Sequence, residues 1–226
     1  MTKIRTYKMT HATGYAPNFE GGVLTLAICK PGIREKAEVG EWIAGFTSTR
    51  PEAGSTKLGE EKLVYLAQIT KKLTFDEYWE QYPEKRPDKS EFGDNQYTTH
   101  PNGYECVKIT QKTKDTYKKN HKRECRDSAY FQVEGHHTED DMPRDLSSDK
   151  VIISEKFIWF GAKNPLDVEQ FKQSIRVPKY PAPYGYDTDG DNVQTFIDYV
   201  LAQKAAPDIL YTDSKISSKS KNCSKK

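Results

Sequence analysis

The spacing of short apolar segments in the first third of the chain restricts the fold more than any other feature. Lys3 to Met9 alternates around Ile4, Tyr7 and Met9. Gly21-Gly22 opens an apolar run through Cys29 that Pro31-Gly32 stops, and Glu41 to Phe46 and Lys62 to Thr70 follow. Each segment has strand length and strand composition, with β-branched and aromatic residues in partial alternation. Between the last two, Ser48 to Glu60 holds Pro51, Gly54 and Gly59 and reads as a loop. Strands this close leave little room for crossover helices, which disfavours a parallel βαβ arrangement. Further strands are expected within 104–110, 129–133 and 151–161.

Two helices stand out. Thr74 caps a short one beginning at Phe75, with Glu77 at its third position completing a capping box. In the other, Asp191 to Lys204, residues Val193, Phe196, Ile197, Val200 and Leu201 recur at spacings of three and four. A Pro- and Tyr-rich stretch from Pro178 to Tyr186 should run extended over the surface. Many short strands with few helices predict an α+β fold, with a small, mixed, largely antiparallel β-barrel-like core and peripheral helices. One domain over 1–210 and a flexible Lys/Ser-rich tail over 211–226 are expected.

Composition bounds the function classes. Of 226 residues 35% are hydrophobic and 12% aromatic, including 14 Tyr, enough apolar surface to argue against disorder. The longest apolar run is far too short to span a bilayer, and no apolar stretch follows the first charges, so a cytoplasmic protein without membrane contact is expected. Cys29, Cys106, Cys125 and Cys223 are widely spaced, with no Cys-x-x-Cys pair. They are read as reduced thiols without a zinc site, Cys29 packing as a small hydrophobe. The net charge is only +2, but Lys108 to Arg126 carries eight basic residues against Asp115 and Glu124. Tyr104, Tyr117 and Tyr130 lie in and around this stretch. Cations with interleaved aromatics suit phosphate contacts and base stacking, and equally suit a solvated face.

Three segments hold candidate site residues. His11-Ala12-Thr13-Gly14-Tyr15-Ala16-Pro17-Asn18 is either a structured turn or a polar pocket wall on which a planar ligand stacks. Phe92-Gly93-Asp94-Asn95 is an ordinary turn or presents Asp94 and Asn95 to a base edge. Gly135 to Asp141 gathers His136, His137 and three acids. Without a His-x-x-x-His spacing it reads as a solvated loop rather than a metal site. Phosphate-binding Gly-rich loops, the dinucleotide fingerprint and Gly-x-Ser-x-Gly are all absent.

Taken in order, Thr10 to Asn18, Gly21 to Pro31, Val39 to Gly45, Lys62 to Tyr65, Phe75 to Trp79, Phe92 to Asn95 and Val151 to Gly161 resemble the nucleotide-modification-associated domain family, second type. The segment from Gly40 to Asp76 is also similar, at the level of fold, to modified-base readers of the PUA and EVE type. The family resemblance implies a nucleotide- or base-related role in phage and bacterial modification systems, without supplying a reaction. On that reading Thr13, Tyr15, Asn18, Lys30 and Asn95 contact the ligand, and Lys118, Lys119, Lys122 and Arg123 hold phosphates of a nucleotide, DNA or RNA. In an enzyme, His11 would act as general acid/base with Asp94 orienting it. An interaction protein with no ligand is the third possibility. No cofactor is expected.

Overall fold

The computed structural model describes residues 1–126, 128–180, 185–205 and 209–213. In chain order its strands and α-helices begin with β1 (Lys3–Lys8), β2 (Leu24–Leu26), α1 (Pro31–Lys36), β3 (Trp42–Phe46), β4 (Leu63–Gln68), β5 (Lys71–Thr74) and α2 (Phe75–Gln81). Then come β6 (Tyr97–Thr98), β7 (Cys106–Val107), α3 (Gln111–His121), β8 (Phe131–Val133), α4 (Met142–Asp145), β9 (Lys150–Ser154) and β10 (Lys156–Trp159). β11 (Tyr186–Asp189), α5 (Asp191–Ala202) and β12 (Leu210–Asp213) complete the series. Part of the Pro- and Tyr-rich stretch (181–184) and the tail from 214 lie outside the described residues.

The fold is α+β, with most strand pairs antiparallel. The largest sheet has the order β11-β1-β3-β4-β10-β12, and two three-stranded sheets have the orders β2-β9-β5 and β6-β8-β7. The sheets are open: β11 and β12 stand at the edges of the largest, and no barrel closes among the described strands. One expectation is corrected. β1 and β3 pair in parallel, because the chain between them has room for β2 and the short α1 as a crossover.

Both faces of the large sheet are buried, which accounts for its continuous apolar strands. Alternate residues sort cleanly. Ile4, Trp42, Ala44, Leu66 and Ile158 face α5 through Val193, Phe196, Ile197 and Val200. Tyr7, Ile43, Tyr65, Phe157 and Trp159 face the opposite way, onto β2 and β9 through Leu24, Leu26 and Ile152. Gly45 makes room for this second layer, since a Cβ there would sit 2.3 Å from the Tyr65 ring. At the corner, β4 leads into β5 and β9 into β10, so two neighbouring segments pass from one sheet to the next. Thr70 pins the crossing, its N–H donating to the Ile153 carbonyl at 2.8 Å and its hydroxyl oxygen accepting from the Glu155 N–H at 3.1 Å.

The expected capping box on α2 is present, between Thr74 and Glu77. The basic segment, read from sequence only as a charged stretch, forms α3, with Thr110 as its N-cap. The apolar run up to Cys29 is strand only over Leu24–Leu26. Ala27 and Ile28 leave the ladder and bury themselves against Phe75, Tyr97 and Met142. That departure turns the chain toward the residues described next.

Candidate active site

The turn between β2 and α1 is strained. Cys29 (φ 60°) and Lys30 (φ 41°) both adopt the left-handed conformation, which costs a non-glycine residue roughly 1–3 kcal/mol. Pro31 follows at the start of α1, where its fixed φ suits a first helical residue. Side chains remote in sequence hold the turn in place. The Cys29 N–H donates to Asp145 Oδ1 at 3.0 Å, and the Cys29 carbonyl accepts from Arg34 Nε at 2.9 Å. Arg34 is fully buried. Its remaining nitrogens donate to the carbonyls of Asp145 (2.6 Å), Ser148 (3.0 Å) and Lys150. One guanidinium thus ties the cysteine turn to the segment around α4.

The turn presents the Cys29 sulfur, half-buried, 3.4 Å from His137 Nε2. The other ring nitrogen, Nδ1, makes a short charged hydrogen bond to Asp145 Oδ2. Tyr97 donates to the same oxygen at 3.1 Å. His137 is positioned through its backbone: its N–H donates to Gln96 Oε1 at 3.2 Å, and its carbonyl accepts from Gln96 (3.2 Å) and Gln132 (3.0 Å). Gly135 lets Gln96 approach, since a Cβ there would meet the amide at 2.3 Å.

Sulfur, imidazole and carboxylate therefore form one chain of contacts, an order of groups that can serve as nucleophile, base and orienting acid. Burial disfavours a charged His137. The hydrogen bonds to Asp145 and Cys29 outweigh it and raise the imidazole pKa to about 10. For Asp145, wholly buried, burial likewise opposes ionisation, but His137 and the two arginines hold its carboxyl below the ordinary range. One donor atom from each of the three residues falls within 4.8 Å of the others, compact enough for a metal ion. Both Asp145 oxygens already accept hydrogen bonds, Oδ1 from the Cys29 N–H and Oδ2 from Tyr97 and His137, and a metal there would have to displace them.

Cys29 lies between two hollows. A small one of about 50 Å³ is walled by Tyr7, His11, Thr13, Tyr15 and His136. Tyr15 and His136 stack there, with ring centroids 3.6 Å apart and planes 6° from parallel. An open cleft of about 660 Å³ lies on the other side, reached past Pro31 and bordered by Tyr117, Arg123, Arg126 and Arg144.

The family model described as nucleotide modification associated domain 2 matches residues 1–208. The chain belongs to this family. No curated protein and no solved structure matches it. Among the described residues, no helix is long and apolar enough to cross a membrane.

In this nucleotide modification associated domain, the residues singled out from sequence separate into groups. His11, Thr13, Tyr15 and Lys30 line the small hollow together with Cys29. The Lys30 ammonium donates to the Lys8 carbonyl at 3.2 Å and lies over the Tyr7 ring, and burial lowers its pKa. Asn18 is buried, donating to the Phe92 carbonyl at 2.5 Å and accepting from Glu20 N–H and Lys85. Asp94 is enclosed by Tyr78 (2.7 Å) and Thr25 (2.8 Å), and Asn95 donates to the carbonyls of Tyr78 and Tyr82. No hydrogen bond or ion pair joins Asp94 to His11 among the described residues.

Of the basic residues, Lys118 pairs with Glu124, Lys119 is exposed on α3 and Lys122 ends that helix in a left-handed conformation. Arg123 borders the cleft. Sequence reasoning missed Cys29, His137 and Asp145. The available signal is a cysteine closing an apolar run one residue before Pro31-Gly32, where a strand-to-helix turn can present a side chain. The His136-His137 pair was noticed, but His136 turns outward to Tyr15 while His137 turns inward to Asp145.

Proposed function

We propose that this chain is a cysteine-dependent enzyme of a nucleotide-modification system, with Cys29 as nucleophile, His137 as proton carrier and Asp145 as the residue that positions His137. The supporting observation is the line Cys29–His137–Asp145 on a strained strand-to-helix turn open to a cleft. A protonated His137 puts a positive charge 3.4 Å from the sulfur and a proton within reach of a leaving group. In the step proposed, the sulfur bonds to an electrophilic sp² carbon of a nucleotide or modified base. The leaving group departs with the Nε2 proton. A water or acceptor then returns a proton to Nε2, adds to the carbon, and releases the thiolate. The family membership supports the substrate class, and a reduced thiol is consistent with the cytoplasmic setting read from the sequence.

Labelling of the folded protein with iodoacetamide near pH 7 tests this. Cys29 is expected to react roughly ten-fold faster than Cys106 or Cys125, and His137→Ala to remove the advantage. A Cys29 that reacts no faster than those two thiols overturns the proposal. A nucleotide reader without chemistry is the second reading, supported by the Tyr15–His136 stack on the wall of the small hollow. It requires binding that is indifferent to the loss of the thiol.

A further inference from the structure

We infer that the cleft beside Cys29 is a phosphate-binding subsite formed by Arg123, Arg126 and Arg144, so that the substrate carries its phosphate and is neither a free base nor a nucleoside. The inference rests on Cys29 being the reactive group for its meaning, but its binding test does not need the thiol.

Lys30, Lys36 and the three arginines border the cleft, together with Glu35 and Glu124. Both acids are already engaged, Glu35 by the Ser148 hydroxyl at 2.8 Å and Glu124 by Lys118. No carboxylate pairs with Arg123 or Arg126 among the described residues, and Arg123 is steadied by the Tyr117 ring, 5.5 Å from its centroid. Arg144 is fixed at the base of the cleft by Asp141 (2.7 Å) and Asp145 (3.4 Å), which leaves its other nitrogen free of a carboxylate. Arg123 and Arg126, with no described carboxylate, and the open edge of Arg144 gather donors around a concave site, where guanidinium groups match phosphate oxygens in paired hydrogen bonds.

The volume, about 660 Å³, is that of a small-molecule site and accommodates a nucleotide. The wall is also selective within the basic segment. Lys118 and Lys119 do not border the cleft, so its charge is not simply the charge of α3.

Calorimetric titration of the full chain with nucleosides, the four nucleoside 5′-monophosphates and dinucleotides tests the subsite, in wild type and in Cys29→Ala. A monophosphate, a dinucleotide, or both are expected to bind in both proteins and the nucleosides roughly ten-fold more weakly. Tighter binding of the monoester indicates a free nucleotide, and tighter binding of the diester indicates a nucleic-acid backbone. Arg126→Gln and Arg123→Gln should each weaken phosphate binding several-fold, while Lys119→Gln, on the exposed face of α3 and outside the cleft, leaves it unchanged. Equal affinity for nucleoside and nucleotide, or equal loss in Lys119→Gln, overturns the subsite whatever the labelling of Cys29 shows. Slow labelling of Cys29 with intact arginine-dependent binding overturns the enzyme reading and leaves the subsite standing.

Discussion

At the residue scale, the turn at Cys29 separates what serves the fold from what serves reactivity. A left-handed non-glycine backbone is tolerated only where surrounding contacts over-determine it, and here Asp145 and Arg34 bind the two peptide units that flank the Cys29 Cα. The strain is separable from the thiol by comparing two variants that both lack sulfur. Cys29→Gly adopts φ 60° without a Cβ penalty, whereas Cys29→Ala retains it. Cys29→Gly should therefore be more stable than Cys29→Ala by about 1 kcal/mol in urea unfolding, although neither can be labelled at this position. Equal stability of the two would mean that the turn is unstrained. Arg34 is a positioning residue in this scheme: it touches neither sulfur nor imidazole, yet it joins the nucleophile's carbonyl to the Asp145 segment.

At the scale of elements, α3 is the one whose existence depends most on tertiary contacts. Only Thr113 and Tyr117 are buried along it, so it lacks the apolar stripe that anchors a surface helix. Its N-terminus is tied instead by Glu139, which accepts from the Thr110 N–H (3.1 Å), the Thr110 hydroxyl (2.6 Å) and the Thr113 hydroxyl. Glu139→Ala is expected to loosen α3 alone. Trypsin should then cut among Lys118, Lys119 and Lys122 several-fold faster, with little change in the global unfolding midpoint. Cleavage at the wild-type rate would show that Tyr117 suffices to hold the helix. The same contrast explains what was legible beforehand. Caps and periodicity are local, so α2 and α5 were read correctly, whereas α3 announced only its charge. The parallel pairing of β1 with β3 depends on a crossover that no single segment encodes. The site was less legible still, because Cys29 and His137 are 108 residues apart and meet only through buried hydrogen bonds. Of the pocket wall read at the first loop, His11, Thr13 and Tyr15 do border a hollow beside Cys29, but Asn18, Asp94 and the Asn95 amide nitrogen hydrogen-bond within the interior.

At the scale of the whole molecule, two buried groups act on stability in opposite directions as pH rises. His137 has a folded pKa of about 10 against an ordinary 6.5, so its stabilisation is complete below pH 6.5 and is lost progressively toward pH 10. Lys85 is shifted the other way. Burial lowers its pKa to about 8 from 10.5, although its ammonium donates to the Val23 carbonyl at 2.7 Å and to Asn18 Oδ1 at 3.0 Å. The folded state thus releases the Lys85 proton before the unfolded state does, and the cost of burying that charge is relieved between about pH 8 and 10.5. Stability should therefore fall by about 1–2 kcal/mol between pH 6.5 and 8, following one proton at about 1.4 kcal/mol per pH unit. From pH 8 to 10 the two terms should nearly cancel and the curve should flatten. Urea midpoints across this range are the measurement. His137→Ala should abolish the first fall, and Lys85→Met should extend it past pH 8. A flat wild-type profile between pH 6.5 and 8 would show that folding takes up no net proton at the Cys29–His137–Asp145 site.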